Sequence, residues 1–178
     1  MIPLLLCMLL SPVPYSLHWE GAEIENVHSL FLTSFLANYQ NLGLTSEDLG
    51  TEDINHVLEM YWIEEKESLK RDQIRSLVVK SHDEIVGYIS FDVRQAPEEV
   101  VIRLLCVKPS MQGRGIGRSL VQSVDQIVPR VRKVTLITRR SNTSAIQFYK
   151  KLGFQEVPFV NKEANIDIRL CVQLEKTN

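Results

Sequence analysis

Residues 100–117 read Val-Val-Ile-Arg-Leu-Leu-Cys-Val-Lys-Pro-Ser-Met-Gln-Gly-Arg-Gly-Ile-Gly, and the fold turns on this stretch. An apolar run rich in β-branched residues reaches Pro109, glycines follow at positions 113, 115 and 117, and a helical pattern begins at once. Pro109 has no N–H to give to a ladder, so a strand stops there. The glycines permit a turn with positive φ and leave the backbone bare of side chains. Backbone N–H groups in such a turn, opening onto a helix N-terminus, make a ready anion site. The pattern predicts a pyrophosphate cradle at the end of a strand.

Upstream, residues 76–80 and 85–93 are β-rich runs joined by Ser81-His82-Asp83-Glu84, and residues 94–98, with Pro97, turn into the strand at Val100. Strands joined this tightly are antiparallel, because a parallel crossover needs a dozen residues or more. That argues against a dinucleotide-binding domain, whose neighbouring strands are reached through helices. Further upstream the period is 3.6. Val27, Leu30, Phe31, Ser34 and Phe35 mark a helix over 24–41 that Gly43 ends, and Thr51 is placed to cap a second helix with Ile54, Val57, Leu58 and Tyr61 inside. Residues 64–72 read as a solvated charge run at its fraying end. An edge strand is possible in sequence terms around Ser16 to Trp19.

Downstream, Leu120, Val121, Val124, Ile127 and Val128 share a helix face, and Pro129 stops it. Residues 133–138 alternate as a strand. Ser141 or Asn142 can cap the next helix, with Ala145, Phe148, Tyr149 and Leu152 inward, and Gly153-Phe154 has the form of a helix-ending glycine with its apolar partner. Residues 154–157 form a short strand, and Ile166, Ile168, Leu170, Val172 and Leu174 alternate as a closing one. The result is one α+β domain over residues 1–178, with helix pair, meander, and then alternating strands and helices.

Composition is that of a soluble globular chain: 178 residues, 44% apolar and 24% charged. Cys7, Cys106 and Cys171 are too far apart and too few for a disulfide framework or a metal knuckle, which points to a reducing, cytoplasmic setting and no metal. The net charge of −2 conceals an asymmetry. Residues 1–65 hold ten acids and no Lys or Arg, whereas residues 66–178 hold all 20 basic residues against twelve acids. The negative total and the lack of interleaved aromatic and basic residues speak against nucleic acid. Met1 to Leu10 is apolar but too short for a membrane span. The segment 1–15 reads as a buried strand, a weak export signal, or a mis-set translation start.

Of the glycine loops that hold phosphate, a Walker loop needs Gly-Lys-Ser/Thr, but Gly117 is followed by Arg118-Ser119; a dinucleotide fingerprint needs G-x-G-x-x-G, but the spacing is G-x-G-x-G. The pattern Val107-x-Pro109-x-x-Gln112-Gly113-x-Gly115-Ile116-Gly117 is followed about 25 residues later by Ser141-Asn142-x-x-Ala145-x-x-Phe148-Tyr149-x-x-Leu152-Gly153-Phe154. Together these resemble the GNAT superfamily of acetyl-CoA-dependent N-acetyltransferases.

The resemblance implies a mostly antiparallel sheet, splayed between its fourth and fifth strands and flanked by about four helices. It implies acetyl-CoA as co-substrate, with backbone groups of Leu105, Cys106 and Val107 along the pantetheine arm. The N–H groups of Gln112, Gly113, Arg114, Gly115, Ile116, Gly117 and Arg118 would lie around the pyrophosphate, and Asn142 on the cofactor side. It casts Tyr149 as the acid that protonates the departing thiolate; with phenols titrating near 10 and thiols near 8.5, a held phenol can donate its proton or stabilise the thiolate by hydrogen bond. A core-packing role is the alternative for Tyr149, as is a solvent-facing one for Arg114 and Arg118. Cys106, by alternation, faces the core. The base is open among Asp92, Glu98, Glu99 and water; His82 reads as a hairpin-tip residue. The acceptor would be a primary amine: a protein N-terminus, lysine, polyamine or aminoglycoside-like compound, with the acidic N-terminal part favouring a cationic one. A non-catalytic acyl-CoA-binding module is the alternative function, and the chain would act as monomer or homodimer.

Overall fold

The computed structural model describes residues 15–16, 22–93, 98–159 and 169–178. The elements in chain order are β1 (Tyr15–Ser16), α1 (Ala22–Asn41), α2 (Ile54–Ser68), β2 (Ile74–Ser81), β3 (Glu84–Val93), β4 (Glu99–Val107), α3 (Ile116–Ile127), β5 (Lys133–Arg139), α4 (Thr143–Lys150), β6 (Gln155–Val157) and β7 (Cys171–Thr177). The strands form one sheet in the order β1-β2-β3-β4-β5-β7-β6. Every neighbouring pair is antiparallel except β4 with β5. The meander and the mixed α+β architecture expected from the tight connections are therefore present. None of the described helices is long and apolar enough to cross a membrane.

Apolar residues cover both faces of the sheet. On one face Val27, Phe31, Leu58 and Trp62 of α1 and α2 pack on Val78, Tyr88 and Cys106; on the other, Leu120, Val124, Tyr149 and Phe154 pack on Ile89, Val100, Val134 and Leu174. Residues Ile85 to Phe91 of the central strand β3 are buried without a break, as a strand covered on two sides must be. Gly87 lies where α3 crosses this strand. A Cβ there would fall 2.7 Å from Ile116 Cγ2 and 3.1 Å from Leu120 Cδ1. Gly87→Ala is expected to push α3 outward and lower stability by about 1–3 kcal/mol, the usual range for overpacking; a denaturant titration measures it.

The structure corrects several local expectations. The cap of α2 is Asp53, whose side chain accepts the Asn55 N–H at 2.9 Å; Thr51 instead bonds to the backbone of Asp53. The buried stripe of α2 is Leu58, Trp62, Glu65 and Ser68, one step round from the stripe expected, and Tyr61 is 44% exposed. Ile127 is also exposed. Leu170 lies in a turn and is exposed, so the closing strand begins at Cys171; Ile166 and Ile168 fall outside the described residues, as do segment 1–14 and residues 94–97 of the turn at 94–98. Gly153 does end α4, with Phe154 N–H donating to Tyr149 O at 3.1 Å and Gly153 N–H to Lys150 O at 3.1 Å.

Candidate active site

Strand β4 carries one residue more than its partner can pair. Leu104 faces Ser90 and Ile102 faces Phe91, leaving Arg103 as the extra residue. The parallel pairing of β4 with β5 ends at the same place, on Ile102 and Leu136. A bulge bends its strand and interrupts the ladder, and here the bend turns residues 103–107 away from β5. A cleft of about 950 Å³ opens between the two strand ends, walled by both, by α1, and by the starts of α3 and α4.

The direction of the peptide groups along β4 follows from one bond, Lys108 N–H to Val86 O at 2.9 Å. Peptide groups alternate along a strand, so those of Leu104 and Cys106 also turn toward β3, and those of Leu105 and Val107 turn into the cleft. The Val107 carbonyl accepts from Ser34 Oγ at 3.3 Å and Gln112 Nε2 at 3.2 Å. Its N–H has no partner among the described residues.

Past Pro109 the chain makes a short 3₁₀ turn and enters the glycine loop. Gly113 and Gly115 adopt φ of 75° and 85°, a conformation that side chains resist. Gly115 is the residue before α3, and the first intrahelical N–H is that of Ser119, bonded to Gly115 O at 2.9 Å. The N–H groups of Ile116, Gly117 and Arg118 therefore project from the helix end. Gly117 has a different task from its two neighbours: it is helical, and a Cβ on it would sit 3.2 Å from Phe148 Cζ. Its smallness lets α4 close over α3.

Leu105, Cys106, Val107, Gln112, Gly113, Gly115, Ile116, Gly117, Arg118, Asn142 and Tyr149 all line the cleft; Arg114 does not. Asn142 caps α4, its Oδ1 accepting the Ala145 N–H at 3.2 Å, so its capping and cleft-facing positions coexist. The Cys106 thiol packs among the residues under α1 and α2, and burial raises its pKa. Tyr149 is 6% exposed, with Phe148 and Phe154 set edge-on at 5.0 and 5.3 Å. Its ring is thus core, but its hydroxyl takes no hydrogen bond from any described residue. Burial holds its pKa above the ordinary phenol value. The candidate bases lie elsewhere: Glu98 pairs with Arg132 at 3.1 Å, Glu99 pairs with Lys133 at 3.1 Å, and neither they, Asp92 nor His82 lines the cleft.

Two clusters escaped the sequence reading. Glu65, placed in a supposed solvated run, is 4% exposed. It accepts from the Tyr88 hydroxyl at 3.0 Å and from Arg103 Nε at 3.2 Å, and Arg103 also donates to Ser68 Oγ at 2.9 Å. Burial, and then the Glu65 charge, raise the pKa of Tyr88 well above normal. The signals were present: Glu65 sits three residues after Trp62 on the buried stripe, and Arg103 is a cation within an apolar strand. In the second cluster the Arg139 guanidinium lies 5.9 Å from the centre of the Tyr39 ring, bridging β5 and α1. Ten acids in residues 1–65 had suggested an acidic acceptor wall, yet the described residues lining the cleft include no Asp, Glu or His; their charges are Arg103, Arg118, Arg139 and Lys151.

The sequence model of the Acetyltransferase (GNAT) family matches residues 25–154. An uncharacterized N-acetyltransferase of Methanocaldococcus jannaschii is 32% identical over 95 residues, 49% of this chain and 42% of that protein. The L-amino acid N-acetyltransferase AaaT of Escherichia coli is 28% identical over 111 residues, covering 60% and 67% of the two chains. The N-alpha-acetyltransferase RimI of Mycobacterium tuberculosis is 38% identical over 80 residues, 44% of this chain and 50% of its own. The matched segments span between 42% and 67% of the length of these relatives. The PaiA N-acetyltransferase of Thermoplasma acidophilum, solved with coenzyme A, superposes with a TM-score of 0.76 over 95% of this chain and 100% of its own at 19% identity. With a family match running from α1 through α4 and the same fold in a solved acetyltransferase, the chain belongs to the acetyltransferase (GNAT) family.

Proposed function

We propose that the protein transfers an acetyl group from acetyl-CoA to a primary amine by direct attack. The observation that carries this reading is the pairing of an open strand edge with a bare glycine turn in one cleft. Inward-facing peptide groups at Leu105 and Val107 suit an extended amide-bearing arm, and the N–H groups from Gly113 to Arg118 suit a pyrophosphate. Fixed backbone donors hold an anion without ordering mobile side chains. The coenzyme A in the Thermoplasma structure supports the same ligand here.

Acetyl-CoA, when bound, supplies a thioester carbonyl open to an unprotonated amine. The Val107 N–H is the donor for oxygen gaining charge, rigid because the next peptide is tied to Val86 and the Val107 carbonyl to Ser34 and Gln112. Tyr149, keeping its proton and lacking a hydrogen-bond partner among the described residues, is the donor to sulfur. Arg118 adds positive charge at the mouth; Arg114 lies off the wall and has no part in this reading. With no carboxylate or imidazole among the described lining residues, the amine gives its proton to water in the cleft. A cytoplasmic location belongs to the same reading and is supported by Cys106, an unpaired thiol.

The test is thiol release from acetyl-CoA over a panel of amines, beside calorimetric titration with CoA. Release with at least one amine is expected. Binding without release on any amine favours a non-catalytic acyl-CoA module, and absence of CoA binding overturns the reading.

A further inference from the structure

Resting on that reading, we infer that the amine acceptor carries a carboxylate, as an α-amino acid does, and that Arg139 receives it. The four cations among the described residues of the cleft wall are not equivalent. Arg118 and Lys151 belong to the helix end and to the C-terminus of α4, on the side proposed for the anionic cofactor. Arg103 is already bonded to Glu65 and Ser68. Arg139 alone stands on the α1 side with no carboxylate within ion-pair distance among the described residues. Asp48 keeps its charge and attracts Arg139 across space, but its Oδ2 accepts from the Thr45 N–H and hydroxyl at 2.8 and 2.7 Å and forms no ion pair with the guanidinium.

The strand geometry puts Arg139 on that side. Val134 and Leu136 of β5 point into the core beneath α3 and α4, and by alternation Ile137 and Arg139 point the other way. There the guanidinium lies 5.9 Å from the centre of the Tyr39 ring and within reach of the Tyr39 hydroxyl, and its five N–H donors exceed what that one oxygen can accept. Ser34, Phe35, Asn38 and Tyr61 complete this half of the cleft. An acceptor with only its amine would bring positive charge toward a guanidinium that has no ion-pair partner among the described residues. A zwitterion offers a carboxylate to the same fork and keeps its amine for the carbonyl.

The experiment compares kcat/KM for matched pairs: L-phenylalanine with phenethylamine, and L-leucine with isopentylamine, each corrected for its unprotonated fraction. The carboxylate-bearing member is expected to lead in both pairs. Arg139→Gln should shrink that lead about 10- to 100-fold, mostly through KM, the range for one charge-assisted contact. Arg139→Lys should recover part of it, since the charge remains but the fork is lost. Titration with CoA on each variant reports folding and cofactor binding separately. Equal or better turnover of the plain amines, or an unchanged ratio in Arg139→Gln, overturns the assignment. CoA binding with no turnover of any carboxylate-bearing amine also overturns it, while leaving cofactor binding in place. Loss of CoA binding by the unaltered protein instead removes the reading beneath it.

Discussion

Tyr149→Phe is expected to lower kcat about 100-fold, the scale of a positioned proton donor, with CoA affinity nearly unchanged. The substitution removes one oxygen and keeps the ring, so the edge-on contacts with Phe148 and Phe154 persist. Because the hydroxyl bonds to no described residue, its loss strands no partner among them. A structural role would therefore appear as a stability change and a catalytic one as a rate change. Burial raises the Tyr149 pKa, so the folded protein keeps this proton beyond the ordinary phenol range near 10. Wild-type activity should accordingly show no decline from Tyr149 ionisation between pH 7 and about 9.5. An unchanged kcat in Tyr149→Phe, measured by single-turnover thiol release, would sink the assignment.

Glu65→Ala should destabilise the protein by about 3 kcal/mol, the lower part of the range for breaking a buried pair. Three losses coincide. The Arg103 charge loses its counter-ion, the fully buried Tyr88 hydroxyl loses its acceptor, and a cavity opens beneath α2. Arg103 is 25% exposed, so it reaches water and the cost stays below that of a sealed charge. For a chain of this length the unfolding midpoint should drop by roughly 6–12 °C. Glu65→Gln keeps an acceptor for Tyr88 and should lose about half as much. Replacing Glu65 and Arg103 together with methionine should recover most of the loss, because the desolvation of both charges is then avoided. Scanning calorimetry separates these outcomes; a midpoint unmoved in Glu65→Ala would show the cluster to be idle.

The parts legible in the sequence were those fixed by local chemistry. Pro109 and the glycine spacing located the strand end and anion turn, the short connections set the antiparallel meander, and the helix from Asn142 to Gly153 declared both its ends. What stayed hidden depended on partners distant along the chain. Glu65 looks solvated until Arg103, 38 residues later, is brought against it. Gly117 looked like a third turn residue because its need arises from Phe148, on another helix. The charge imbalance misled for a related reason: it was a sum over residues, while the cleft meets only the few side chains that reach its wall.

The bulge at Arg103 also bears on how a ligand enters. The extra residue lies in the ladder of β4 with β3, which resumes on both sides of it, and the bend it imposes falls where the ladder of β4 with β5 stops, at Ile102 and Leu136. The opening thus goes with a bend built into the backbone of β4, and Glu65 pins the surplus residue in place. No hinge has to swing to expose the Val107 N–H. Association on this wall should therefore approach a simple collision with a preformed surface, with little ordering left for the strand ends to undergo.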